Sequence, residues 1–343
     1  MRAAAARRVA VLGAGSWGTT FAQVLADASA HARVVVWGRR AEVVSGIAER
    51  SENPAYLPGV RLPAGVTATR DAGEALEGAD LVVLAVPVQQ LRATLARHAA
   101  AVPPGAVVVS LLKGLEAQTH LRVTQVVEEV LRAQPHGPPP VAVVSGPNLA
   151  REIAERRPTA TVVAAADAAV AAAVARACST SYFRPFTSQD VVGVEVAGAV
   201  KNLLAVAVGL SEGLGLGDNA KASVMARGLA ETTRLVMALG GSAATVAGLA
   251  GAGDAFATCA SNLSRNHRLG VGLSRGERLE DVLAGLGGTA EAVATSRSVT
   301  ELAAGVGVAM PVVEQVTAVL HRGRHPREAA ALLLSRPVGP EAA

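Results

Sequence analysis

Apolar residues in the first half of the chain come in short, β-rich runs separated by stretches with helical spacing. Val9–Leu12, Arg33–Trp37, Asp80–Val86, Ala106–Ser110 and Val141–Ser145 are near-continuous runs dominated by Val, Ala and Leu. Such runs suit a parallel sheet covered on both faces. Ser16–Asp27 between the first two reads as a helix, and the alternation predicts an α/β domain with a Rossmann-type, doubly wound sheet. Pro138–Pro140 reads as a loop, and Thr159–Ala164, the helix-like Asp167–Cys178 and Tyr182–Phe186 close the domain. From Val191 the strands stop, and Ala and Leu recur at helical spacing to about His321. Gly213–Gly217, Gly240–Gly241 and Gly285–Gly288 read as turns between helices. The expected organisation is a Rossmann-type domain over 1–188 and an all-helical C-terminal domain over 189–343, with a frayed tail from Pro337 and no internal repeat.

Composition narrows the class. Of 343 residues, 50% are apolar and 17% charged, so a large core can be buried and a mainly disordered chain is excluded. Lys+Arg 32 against Asp+Glu 28 leaves a net charge of +4, too mild and dispersed for a dedicated nucleic-acid surface. Cys178 and Cys259 alone can build neither a disulfide framework nor a zinc cluster, which points to a reducing compartment. No unbroken apolar run reaches the roughly 18 residues of a membrane span. Asp167 interrupts Thr159–Ala177, and Glu195 and Lys201 interrupt Val191–Leu210. The basic start Met1–Arg8 is followed only by Val9–Leu12 before a glycine loop, so no cleaved signal fits.

That loop, Gly13-Ala14-Gly15-Ser16-Trp17-Gly18, is a G-x-G-x-x-G between a predicted strand and a predicted helix. Glycines there allow a tight turn and close backbone approach, and the helix N-terminus presents N–H groups to a pyrophosphate. The second strand ends Trp37-Gly38-Arg39-Arg40 instead of on an acidic residue. Two guanidinium groups beside the ribose suit the extra phosphate of NADP, which favours NADP over NAD unless both arginines face solvent.

Only Lys113, Lys201 and Lys221 are lysine among 32 basic residues, and lysine can do what guanidinium cannot, namely give up a proton near neutral pH. On a helix, Lys201 shares a stripe with Ala197 and Ala205, where it is either desolvated, with a lowered pKa suited to a general base, or snorkels to water. Lys113 and the turn Ser145-Gly146-Pro147-Asn148 each follow a predicted strand, at the edge where open α/β sheets bind ligands. In the helical half, Gly251-Ala252-Gly253-Asp254 and Ser261–Asn266 crowd small, amide, hydroxyl and charged side chains. Glycines there would admit a ligand to the backbone, and Arg265 with Asn266 offers donors to phosphate oxygens; the bland alternative is a capped helix start. His321 and His325 are spaced as a metal pair, but without acidic or thiol neighbours they read as a solvated face, so no metal is expected.

These stretches resemble one family. GAGSWGTTFA at Gly13, NPAYLPG at Asn53, LLKGLE at Leu111, SGPN at Ser145, the run EVAGAVKNLLAVAVGLSEGLGLGDNAKA from Glu195, GAGD at Gly251, SNLSRN at Ser261 and PVVEQV at Pro311 are similar to bacterial NAD(P)-dependent glycerol-3-phosphate dehydrogenases across about residues 8–325. The resemblance implies hydride transfer between dihydroxyacetone phosphate and sn-glycerol 3-phosphate, feeding phospholipid synthesis, in a cytoplasmic homodimer. It implies that Lys201 exchanges the C2-hydroxyl proton and that Asp254 orients it. Lys113 would contact substrate and cofactor, and Arg265 with Asn266 would hold the substrate phosphate, beside Ser264, Gly146 and Asn148. Gly13, Gly15, Ser16, Trp17, Gly18, Arg39, Arg40, Tyr56, Arg265 and Glu291 would line the cofactor site. The sequence departs from the family at Asn148, usually a small hydroxyl residue, at Ala292, usually glycine, and at Ala255-Phe256, usually an aliphatic pair. Two other readings share some of these features: a two-domain hydroxyacid dehydrogenase, and an NADP-binding regulatory protein without turnover.

Overall fold

The computed structural model describes residues 8–286 and 290–334. The chain forms two compact units, the first running to Leu112 and from Val123 to Val191, the second comprising Lys113–Arg122 and the chain from Val192 on. Against the expectation of residues 1–188 as one whole domain, Lys113–Arg122 belongs to the second unit. The physical reason is Leu115, whose side chain is buried in the apolar core of the second unit.

The first unit is built on an eight-stranded sheet. In chain order the strands are β1 (Arg8–Leu12), β2 (Arg33–Trp37), β3 (Glu52–Asn53), β4 (Leu57–Arg61), β5 (Val66–Thr69), β6 (Leu81–Leu84), β7 (Val107–Ser110), β8 (Val141–Ser145), β9 (Thr159–Ala164) and β10 (Phe183–Ser188). The order across the sheet is β10-β9-β8-β7-β6-β1-β2-β5, with β3 and β4 as a separate antiparallel pair. From β5 to β8 all neighbours are parallel, in the order of a Rossmann sheet. The pairing of β8 with β9 is antiparallel, and β10 then runs parallel to β9, so the far edge is mixed. The sequence reading missed β5, whose residues Val66-Thr67-Ala68-Thr69 are half polar and too short for an apolar run.

β1 lies between β2 and β6, where the strand order reverses, and in sheets of this kind ligands bind at the carboxyl ends beside that reversal. The helix Ser16–Ala28 follows β1 directly, with Phe21, Ala22, Val24 and Leu25 buried in the core.

The second unit is helical apart from Lys113–Arg122, where Leu115 and Arg122 form an isolated antiparallel bridge. Its central helix, Val191–Gly213, is buried without interruption from Gly193 to Ser211. It is long and apolar enough to cross a membrane, but 89% of its most apolar window is buried inside the protein. A helix apolar on every side is the core helix of a larger body. The charges at Glu195 and Lys201 therefore lie inside that body, where they need partners.

Glycines set how close this helix comes to the helix Arg265–Ser274. A Cβ on Gly209 would lie 2.2 Å from the carbonyl oxygen of His267, and one on Gly270 would lie 2.2 Å from that of Val206. At Gly213 the space is taken instead by a side chain, that of Ser274, whose Oγ would lie 1.8 Å from a Cβ there. The two backbones thus touch at Gly209 and Gly270, where no side chain fits.

Glu231 is 2% exposed and accepts hydrogen bonds from the backbone N–H groups of Val312 (2.8 Å) and Val313 (3.4 Å), at the start of the helix Pro311–His321. Burial pushes its carboxyl up to about 7, against the pull of those two donors. The folded state therefore holds a proton that the unfolded chain has released by pH 5, so folding takes up a proton and stability falls as pH rises towards 7. Glu231→Gln is expected to raise thermal stability at pH 8, by on the order of 2–3 kcal/mol, and to leave it unchanged at pH 4. Melting curves of both proteins across pH 4–8 check this, and equal stabilities at pH 8 would refute it.

Candidate active site

The glycine loop has the geometry that pyrophosphate binding requires. Gly13 has φ +129°, and a Cβ there would lie 2.5 Å from the Ala85 carbonyl oxygen. A Cβ on Gly18 would lie 2.1 Å from the Gly13 oxygen, so both glycines hold the helix against the strands. Gly15 differs, because its missing Cβ points into open space at a helix start that no side chain caps. The Trp17 indole nitrogen is buried without a hydrogen-bond partner. An uncapped helix N-terminus, an open approach over Gly15 and an unspent donor fit a dinucleotide phosphate.

Around the loop, Asn53 Nδ2 donates to the Ala14 carbonyl (3.0 Å) and to Thr19 Oγ1 (2.8 Å), and Ser16 Oγ donates to the Tyr56 carbonyl (2.8 Å). Arg39 and Arg40 are exposed just beyond β2. The Arg40 guanidinium sits 5.4 Å from the Tyr56 ring centroid, bonds the Tyr56 hydroxyl (3.1 Å) and pairs with Glu42 (2.5 Å). Gly146, at φ +148°, faces Thr161 in the turn after β8, and Asn148 Nδ2 donates to Thr161 Oγ1 (3.0 Å).

In the second unit, one carboxylate holds two lysines. Asp254 Oδ2 pairs with Lys113 Nζ, and Asp254 Oδ1 lies 3.1 Å from Lys201 Nζ. Lys201 also donates to Thr258 Oγ1 (2.7 Å), which donates to Asp254 Oδ1 (3.2 Å) one helical turn away. Asp254 is 2% exposed and Lys201 9%. Burial pushes the Lys113 ammonium down to about 8, and the nearby Lys201 charge adds to the effect while Asp254 opposes it. Burial would raise the Asp254 carboxyl, but the two ammonium groups more than offset it and hold it below its ordinary value.

An amide chain continues from there. Asn202 Nδ2 donates to the Lys113 carbonyl (3.2 Å), Asn266 Nδ2 donates to Asn202 Oδ1 (2.9 Å), and the Ala292 backbone N–H donates to Asn266 Oδ1 (3.3 Å). Glu291 opens the helix Glu291–Gly305, and exposed Arg265 opens the helix Arg265–Ser274. Ser264 Oγ caps that second helix by accepting from the His267 N–H (3.2 Å).

The structure thus gathers Lys113, Lys201, Asp254 and Asn266 in the second unit, and the glycine loop, Arg39, Arg40 and Tyr56 in the first. Gly146 and Asn148 belong to the first unit. Thr258 and Asn202 bond into this cluster although the sequence reading singles out neither; Thr258 stands four residues after Asp254 and Asn202 follows Lys201 directly. Asn53 was read only as part of a motif. Gly251, read as a point of ligand approach, instead packs on its own chain: a Cβ there would lie 2.1 Å from the Val246 oxygen, in the π-helical turn Leu249–Gly253 that leads into Asp254. His321, read as solvated, bonds Ser296 Oγ (2.8 Å) and the Val293 carbonyl (3.0 Å), while His325 lies beyond the helix end. Among the described residues no cluster of His, Cys, Asp and Glu could hold a metal. Of the predicted turn Gly285–Gly288, Gly287 and Gly288 lie outside the described residues, as does the tail from Pro337.

A Rossmann sheet with a G-x-G-x-x-G loop after its first strand, joined in one chain to a helical unit whose buried lysines share a carboxylate, defines a nicotinamide-dependent dehydrogenase of the two-domain class. Models of the NAD-dependent glycerol-3-phosphate dehydrogenase N-terminus and C-terminus match residues 8–171 and 190–331. A Thermobifida fusca protein named glycerol-3-phosphate dehydrogenase [NAD(P)+] is 52% identical over 334 residues, 97% of this chain and 98% of that protein. A Mycobacterium tuberculosis protein of the same name, numbered 2, is 50% identical over 340 residues, 98% of this chain and 99% of that protein. The crystal structure of the Coxiella burnetii glycerol-3-phosphate dehydrogenase superposes with a TM-score of 0.90 at 34% identity, covering 96% of this chain and 99% of that one. The chain belongs to the NAD-dependent glycerol-3-phosphate dehydrogenase family.

Proposed function

We propose that the protein interconverts dihydroxyacetone phosphate and sn-glycerol 3-phosphate with NAD or NADP, in the cytoplasm and as a homodimer, supplying glycerol phosphate for phospholipids. The observation that carries this reading is the pair of lysines on Asp254, in a chain of this family. When bound, the nicotinamide gives or takes the hydride at C2. Lys201 gives its Nζ proton to the ketone oxygen and takes it back in the reverse direction, and Asp254 and Thr258 hold that nitrogen in place. Lys113, charged below about pH 8, offsets the negative charge that develops on the same oxygen. Arg265 grips the substrate phosphate together with the Asn266 amide hydrogen not spent on Asn202. The dinucleotide pyrophosphate binds over Gly15, and Arg39 and Arg40 receive the 2′-phosphate of NADP. NADP is preferred, but Arg40 already pairs with Glu42, so the preference is modest and NAD is also used. Two cysteines standing as free, buried thiols accord with a reducing compartment.

The test is reduced-nicotinamide absorbance with dihydroxyacetone phosphate, NADPH and NADH side by side, across pH. Oxidation of both, faster with NADPH, and a kcat/KM that falls above about pH 8 as Lys113 loses its proton, is the expected result. A folded, nucleotide-binding protein that oxidises neither would overturn it. Sedimentation tests the assembly, and a monomer at working concentration overturns the dimer.

A further inference from the structure

The segment Lys113–Arg122 is closed on itself and fastened at several points. The Leu115–Arg122 bridge joins its ends, and the Glu116 N–H bonds the Leu121 carbonyl (3.0 Å) while the His120 N–H bonds that of Glu116 (3.0 Å). Leu115 anchors it in the core, Ser298 Oγ donates to the Glu116 carbonyl (3.2 Å), and His120 Nε2 lies 3.1 Å from the Glu301 carboxylate. Both ends also reach the central helix Val191–Gly213. Asn202 holds the Lys113 carbonyl, and Arg122 Nη1 pairs with Glu195 Oε2 at 2.6 Å. The Glu195 side chain is 3% exposed and that of Arg122 19%.

A buried ion pair is a poor way to gain stability, because desolvation of both charges consumes most of the attraction, and apolar replacements often do as well. What such a pair gives is direction: a fork of donors fixed on a carboxylate. Here it fixes the far end of the segment to the helix that carries Lys201 and Asn202, while Asn202 fixes the near end.

We propose that the Arg122–Glu195 pair positions Lys113, closing the segment so that the Lys113 ammonium meets Asp254 beside Lys201. Both are positioning residues that act through Lys113 and not on the reacting atoms. The importance for turnover rests on the role of Lys113 given above; the positioning itself does not. Charged groups that face Lys113 among the described residues include Asp254, from the helix Asp254–Ala260, and Lys201, from the central helix. Loosening the segment lets water reach Lys113, and its titration moves up from about 8 towards the ordinary lysine value.

The chain has only three lysines, so incorporation of lysine labelled with 13C at Cε gives three signals, each assigned by a single Lys→Arg variant. The decisive protein is the full-length double variant Arg122→Met with Glu195→Gln, which removes both charges of the pair together. Its Lys113 signal is expected to titrate at least about one pH unit higher than in the parent. Its kcat for dihydroxyacetone phosphate should fall about tenfold or more, with the alkaline limb displaced upwards and the KM for the dinucleotide unchanged, and Arg122→Lys should lie between. A folded double variant whose Lys113 titrates as in the parent overturns the proposal, even if its melting temperature drops. If the double variant does not fold, Arg122→Lys carries the test, and an unmoved titration with unchanged kcat overturns the proposal. A parent protein that never reduces dihydroxyacetone phosphate counts against the proposed reaction, while the lysine titration still decides whether Arg122 and Glu195 position Lys113.

Discussion

Lys201→Ala is expected to lower kcat for dihydroxyacetone phosphate reduction by about 1,000-fold, the scale of a lost general acid, while nucleotide still binds with parental affinity. Substrate reduction leaves negative charge on an oxygen that must take up a proton, and Lys201 holds one on a nitrogen fixed by Thr258 and Asp254. The variant removes both the proton and the charge. Lys201→Arg separates the two, because guanidinium keeps the charge but does not release its proton, and it is expected to be nearly as slow. Single-turnover absorbance with bound NADPH measures the chemical step, and nucleotide titration through protein fluorescence measures binding. Near-parental turnover in Lys201→Arg would reduce Lys201 to a fixed charge and pass the proton to another group.

The second large effect is expected at Asp254. Asp254→Asn keeps the shape but leaves two ammonium groups without the charge that offsets their burial. Lys113 then loses its protonated form below pH 8, because the carboxylate was opposing the push from burial and from Lys201. At pH 8, kcat should fall by about 100-fold or more, with part of the loss recovered at pH 6, where Lys113 regains its proton. The shift is opposite in sign to that expected on opening the Lys113–Arg122 segment, so one pH series distinguishes a lost counter-charge from lost position. A pH profile unchanged in Asp254→Asn would show that Asp254 does not control Lys113.

Much of this site could be read in the sequence, for physical reasons that differ from residue to residue. Lysine is scarce here, so Lys113 and Lys201 stood out by side-chain type, and Lys113 stood out again by following an apolar strand. The glycine loop is a local pattern, since its job is done by neighbouring backbone atoms. Asn202 and Thr258 act by bonding distant side chains, and nothing local distinguishes them from ordinary helix residues. Thr258 could have been found by asking what shares a helical face with Asp254 one turn on. The move of Lys113–Arg122 into the second unit was hidden for the same reason, because Arg122 finds its partner at Glu195 and Leu115 its core among helices far along the chain. In the sheet, near-continuous apolar runs mark β1, β2, β7 and β8 within a residue or so, whereas β5 pairs through its backbone while carrying two threonines.

The seam between the helices Val191–Gly213 and Arg265–Ser274 has a bearing on rate as well as on packing. Gly209 and Gly270 set each helix against the other's carbonyl groups, so the spacing is fixed by bonded backbone atoms instead of by side chains that can change rotamer. Lys201 and Asn202 ride on one of these helices and Arg265 and Asn266 on the other. In the proposed reaction, the proton-exchanging nitrogen of Lys201 and the phosphate grip of Arg265 and Asn266, mounted on two such surfaces, have little slack to take up as charge moves on the substrate. The reorganisation energy of the site is therefore spent once, during folding, and not at each turnover.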